Sequence, residues 1–192
     1  MRPRWILPVV LVAVIVTAAA GIVARAVYTR PVESTAGAVG APPQTPLPLA
    51  DQPGDTTVVA TTDAAAHPLY EAMRALLQAH FDAINSRDYD LWRSAVSARR
   101  AKGQPEKEWR IAFRTTRDGS IVIYRIESGP AGTAKILLSF TSVQDPRDAP
   151  LELPVGCIHW RVVFPVTYEE GVWKLDSGQT NTAPQHEACE EP

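Results

Sequence analysis

The hydrophobic period changes once along this chain, and that change limits the folds open to it. Between residues 69 and 116 apolar side chains recur at helical spacing, and from Ser120 onward they alternate. In PLYEAMRALLQAHFDAINS, Leu69, Met73, Leu76, Leu77, Phe81 and Ile84 share one broad helical face, and Pro68 suits the first turn. His80 falls inside that apolar stripe, and Asp82 falls opposite it. The helix is expected to stop near Asn85-Ser86. Asp88 then caps a second, short helix, Asp90 sits favourably in its first turn, and Leu91, Trp92, Ala95 and Val96 supply its packing surface. A third helix is expected from Gly103-Gln104-Pro105 to Asp118-Gly119, with Glu106 and Glu108 early, Arg114 and Arg117 late, and a stripe of Trp109, Ala112, Phe113 and Thr116.

SIVIYRIES, AKILLSFTSV, CIHWRVVFPVTY and GVWKLDS follow, rich in β-branched and aromatic residues and punctuated by Gly-Pro, Asp-Pro and Glu-Glu-Gly. They predict an antiparallel meander of four consecutive strands. In the third, Ile158, Trp160, Val162, Phe164, Val166 and Tyr168 share one face, while Cys157, His159, Arg161 and Thr167 share the other. Pro165 is expected at a bulge or beside an edge, because it has no N–H for a ladder. Helices first and strands after make an α+β domain in which the helical half covers the apolar sheet face. Arg161 and His159, with Lys174 and Asp176 nearby, read as a solvated sheet face or a protein-docking face.

Upstream of this domain the chain has a different character. WILPVVLVAVIVTAAAGIVA, residues 5–24, runs without a charge and as a helix would span roughly 30 Å, the hydrocarbon thickness of a bilayer. Residues 1–4 form a short N-terminus whose Arg2 and Arg4 favour the cytoplasmic side. The run is longer than an ordinary signal h-region of about 7–15 residues, which favours an uncleaved anchor. Cleavage after the small residues Ala18-Ala19-Ala20 or Ala24-Arg25-Ala26 is the alternative, and both readings put the remainder outside the cytoplasm. Residues 25–66 read as a disordered Pro/Thr/Ala-rich linker; residues 31–66 hold six Pro, three Gly, no aromatic and no apolar period. Residues 67–192 are then the extracytoplasmic domain.

Charge and motifs exclude several functions. With 19 basic and 21 acidic residues the formal net charge is −2, so no large basic field is available to hold a phosphate backbone, and nucleic acid is not an expected partner. Among the bases, 15 are Arg and 4 are Lys, a bias typical of GC-rich bacterial genomes. His67, His80, His159 and His186 are scattered without ligand spacing, so no metal or cofactor is expected. Glycine-rich phosphate loops and Gly-x-Ser-x-Gly elbows are absent. The two cysteines, Cys157 and Cys189, are an even count in a chain read as exported, which predicts a disulfide tying the tail TAPQHEACEEP to the third strand.

A helix, a short helix opened by the turn Ser86-Arg87-Asp88-Tyr89, a third helix and then a curved antiparallel sheet resemble the NTF2-like superfamily, the cone-shaped α+β fold of ketosteroid-isomerase-like and SnoaL-like proteins. In detail, residues 67 to about 180 are similar to the extracytoplasmic NTF2-like domains that actinobacteria carry behind a single membrane helix. A cystatin-like half-wrapped helix is nearly the same architecture. The resemblance implies a sheet of about four to six strands and a cone mouth between helices and sheet. It implies His80 as the candidate base, with Phe81, Tyr124 and Trp160 as pocket lining. The family's recognisable catalytic carboxylate is missing, since Asp82 points outward and Asp88 and Asp90 serve a helix start. The expected function is therefore a non-enzymatic accessory or binding module of the cell envelope, docking an envelope protein or holding an apolar molecule in its cone. A small isomerase- or hydrolase-type enzyme using His80 as general base is the alternative.

Overall fold

The computed structural model describes residues 47–178 and 184–189. The apolar run 5–24 and linker residues 25–46 lie outside the described residues; among those described, no helix is long and apolar enough to cross a membrane. Residues 47–66, expected to be the end of a disordered linker, are ordered, and this corrects the boundary at residue 67. A 3₁₀ turn, Leu49–Asp51, leads to strand β1, Val59–Ala60, and helix α1, Thr62–Ala65. Val58 is only 2% exposed, and its N–H donates to Gln78 Oε1 at 2.9 Å. Further back, Ser120 N–H donates to the Asp55 carbonyl at 2.7 Å, and its hydroxyl donates to that of Pro53 at 2.8 Å. Gly119 makes this docking possible: a Cβ there would stand 2.7 Å from the Pro53 carbonyl oxygen. A segment without its own apolar period is ordered because the sheet edge supplies its partners.

Helix α2, Tyr70–Ser86, buries Met73, Leu76, Leu77, His80, Phe81, Ala83 and Ile84, the face its spacing predicts. It ends as expected, with Arg87 left-handed at φ 63 and Asp88 N–H returning to the Ala83 carbonyl at 2.9 Å. Asp88 caps helix α3, Tyr89–Ala95, by accepting from Leu91 N–H at 2.9 Å. The third expected helix is corrected. An unanticipated helix α4, Ala98–Gly103, precedes it, and helix α5, Glu106–Ala112, stops well before Asp118-Gly119. Those two residues belong to the following strand, because the Asn85 amide pins Asp118 by donating to its carbonyl at 2.9 Å and accepting from its N–H at 2.7 Å. A long-range pair of hydrogen bonds thus overrides a local turn signal. Trp92 and Trp109, both fully buried, meet with ring centroids 5.8 Å apart and lock α3 to α5.

Strands β2 (Arg117–Ser128), β3 (Thr133–Val143), β4 (Cys157–Glu169) and β5 (Val172–Leu175) form the expected antiparallel meander. Two further strands, in segments not read as strands, bring the sheet to six, within the expected four to six. β1 pairs with β2 in parallel, Val59 opposite Val122, so the six-stranded sheet is mixed rather than wholly antiparallel. β6, Gln185–Ala188, pairs with β4, and Cys189 is bonded to Cys157 with Cα atoms 5.4 Å apart. β5 occupies the β4 edge at Val166–Glu169 and β6 occupies it at Ile158–Arg161. Pro165 lies in the gap between them. Its carbonyl accepts from Asp176 N–H at 2.8 Å, so its missing donor faces the same gap and costs no ladder bond.

Candidate functional site

The α2 stripe and the inward faces of β3 and β4 do not close on each other completely. They leave a cavity of ≈ 430 Å³, walled by His80, Phe81 and Ile84 from α2, Phe113 after α5, Phe140 and Ser142 from β3, and Trp160, Val162 and Phe164 from β4. Strand alternation puts Phe140 and Trp160 directly opposite each other, and their rings stack at 6.1 Å. Phe81 tilts against Phe140 at 5.0 Å, and His80 meets Phe164 edge-on at 5.8 Å. The walls are therefore aromatic on three sides.

Four ionisable groups line this apolar space, His80, Asp118, Arg100 and Asp148, the last of them bonded to Arg114 and Thr115. His80 is 2% exposed, and its Nδ1 is buried without a hydrogen-bond partner among the described residues. Burial first, and the nearby Arg100 charge second, hold its pKa well below the usual histidine range, so the ring is neutral at physiological pH. Asp118, also 2% exposed, accepts from the Ser142 hydroxyl at 2.5 Å. Burial pushes its carboxyl up to about 6, against the opposing effects of the Ser142 bond and the Arg87 charge. Arg100 comes from α4, whose start is set by Ser97 accepting from Arg100 N–H at 3.1 Å. Its guanidinium lies 5.6 Å from the centroid of the Phe164 ring, and burial lowers its pKa to about 10 while Asp176 partly offsets this.

The expected site residues separate into two places. His80, Phe81 and Trp160 meet at the cavity. Tyr124 does not join them: it is 47% exposed, its hydroxyl accepts from Ser139 Oγ at 3.1 Å, and it lines a neighbouring second cavity together with Arg100 and Phe164. The alternation of β2 is broken by a register shift between Ile123 and Arg125, which removes the basis for the expectation. Asp118, Arg100, Phe140, Ser142 and Phe164 were not anticipated as lining. Phe140 and Phe164 were accessible from strand alternation once Trp160 was placed inward. Asp118 was hidden by its Asp-Gly turn signal, and Arg100 by a helix too short to show a period.

The polar groups expected on the outer sheet face serve separate local bonds. His159 Nδ1 pairs with Thr141 Oγ1 at 2.8 Å, Arg161 with Glu187 at 3.2 Å, and Lys174 with the Ser94 carbonyl. Among the described residues no group of three or more His, Cys, Asp or Glu could hold a metal ion. Neither a protein-family model nor a curated protein matches the sequence.

Proposed function

We propose that the chain is an NTF2-like, extracytoplasmic binding module, held at the outer face of a membrane by residues 5–24, which takes a small apolar molecule into its cone. The aromatic cavity between α2 and the inward faces of β3 and β4 carries this reading. The Cys157–Cys189 bond supports the location, because disulfides persist in oxidising compartments outside the cytoplasm.

The enzymatic reading draws on two observations, a neutral His80 whose Nδ1 has no partner among the described residues and an Asp118 carboxyl raised to about 6 in the same cavity. Binding is favoured over it because the walls are mainly aromatic and aliphatic and the Asp118 carboxylate is already engaged by the Ser142 hydroxyl. His80→Leu separates the two: a binding module keeps its ligand, whereas an isomerase or hydrolase loses turnover with its fold intact.

Photolabelling tests the cavity directly. A diazirine-bearing decanol added to the full chain in lipid nanodiscs is expected to mark the segments around Phe140 and Phe164, read by peptide mass spectrometry. Val162→Trp, which fills the cavity from β4, is expected to abolish these adducts without lowering the melting temperature. Labelling that is absent from the native chain, or unchanged in Val162→Trp, would sink the proposal.

A further inference from the structure

Among the described residues Arg100 is the one cavity cation whose charge is left unanswered. Asp176, whose charge acts on it, is already taken: its Oδ1 accepts from Ser97 Oγ at 2.6 Å and from Arg99 Nε at 3.1 Å. Asp118 is bonded to Ser142, Asp148 to Arg114 and Thr115, and Glu169 to the Ala98 N–H. Among the described residues the Arg100 guanidinium makes no hydrogen bond and no ion pair, although it is partly buried and holds five donors. A desolvated cation of this kind is ordinarily matched by an anion. Phe164 supports it from one side, which orients the donor edge and lowers the cost of forming paired bonds.

The position of Arg100 adds a direction. Arg100, Val162 and Phe164 line both the aromatic cavity and a second one of ≈ 700 Å³ that runs along Val162–Pro165 of β4, a stretch paired with β3 on one edge and lying between β5 and β6 on the other. A molecule with its apolar body among Phe81, Phe140 and Trp160 would therefore bring its end to Arg100. The charge count selects the end. One guanidinium beside a neutral His80 balances a single negative charge, and a dianionic phosphate would add excess charge beside Asp118 and Asp148.

The geometry points to an amphipathic monocarboxylate as the ligand, with its carboxylate paired to Arg100 and its apolar body in the aromatic cavity. This deepens the binding reading above and rests on it. A fatty-acid-like molecule fits this class.

Three diazirine-bearing probes of equal chain length, a decanoate, a decanol and a decyl phosphate, separate the possibilities on the full chain in nanodiscs. The decanoate is expected to label the Phe140 and Phe164 segments at about one tenth of the concentration the alcohol needs. Arg100→Gln should remove that tenfold advantage while alcohol labelling stays within about twofold, which also reports an intact cavity. Arg100→Lys should retain part of the advantage, since it keeps the charge and loses the fork. Equal labelling by acid and alcohol, or an Arg100→Gln chain that still prefers the acid, overturns the carboxylate assignment and leaves the apolar cavity standing. Preference for the phosphate overturns it in favour of a different anion. Failure of every probe to label the cavity overturns both readings.

Discussion

Two buried ionisable residues, Asp118 and His80, pull the stability of this domain in opposite directions as pH changes. Asp118 holds its proton more tightly folded than unfolded, about 6 against 3.8. It therefore costs stability above pH 6, and that cost is relieved as pH falls toward 4. His80 is depressed below 6.5, so the stability it contributes is present above that value and lost on acidification. Asp118→Asn is expected to raise stability at about pH 7.5, by on the order of 3 kcal/mol, and to remove the acid-side relief. His80→Leu is expected to remove the opposing loss. Denaturant titrations at about pH 7.5 and about pH 4.5 measure both, and an Asp118→Asn protein that tracks the native one at each pH refutes the assignment. At Gly119 the constraint is steric. Gly119→Ala forces a Cβ to 2.7 Å from the Pro53 carbonyl oxygen, for which a loss of about 1–3 kcal/mol in the same titration is expected.

At the scale of elements, β6 is the one that most depends on a covalent tie. Its four residues, QHEA, are mostly exposed; His186 alone packs on an aromatic, with ring centroids 5.0 Å from Trp160. The disulfide closes a loop with a sequence separation of 32 residues, and chain entropy assigns it roughly 3–4 kcal/mol. Replacing both cysteines with serine is expected to lower stability by about that amount and to release the amides of residues 185–188 into fast hydrogen exchange, with β2 and β3 still protected. Unchanged exchange there would mean that the ladder to β4 suffices. The helices show how far local signals reach. The α2 stripe and the Asp88 cap were legible because both act within one turn of chain. The place of Asp118-Gly119 in a strand was not, because Asn85, thirty-three residues away, holds Asp118 there.

For the whole molecule, the sheet decides where the domain begins. Val58, sealed at 2% exposure, and the β1 pairing lie upstream of residue 67, inside what composition reads as linker. A chain beginning at residue 67 is expected to lose the burial of Val58, about 1.5–3 kcal/mol, and to expose the β2 edge. A chain beginning at residue 47 retains both. Comparing their thermal melts checks this, and equal stability would return the boundary to residue 67. The cavity is also a property of this scale. Its walls come from α2, α4, β2, β3 and β4, elements far apart in sequence that only the fold brings to one space.

The sequence by itself determined the α+β class, the four-strand meander, the buried face of α2, the Asp88 cap and the pairing of Cys157 with Cys189. Each depends on a period, a turn residue or a count that can be read along the chain. Only the tertiary structure decided that residues 47–66 are ordered, that the sheet is mixed, that Tyr124 lines a different cavity from His80, and that Arg100 and Asp118 enter the same cavity. Those outcomes rest on contacts between residues far apart in sequence, where a sheet edge, an amide or a ring supplies what the local segment lacks.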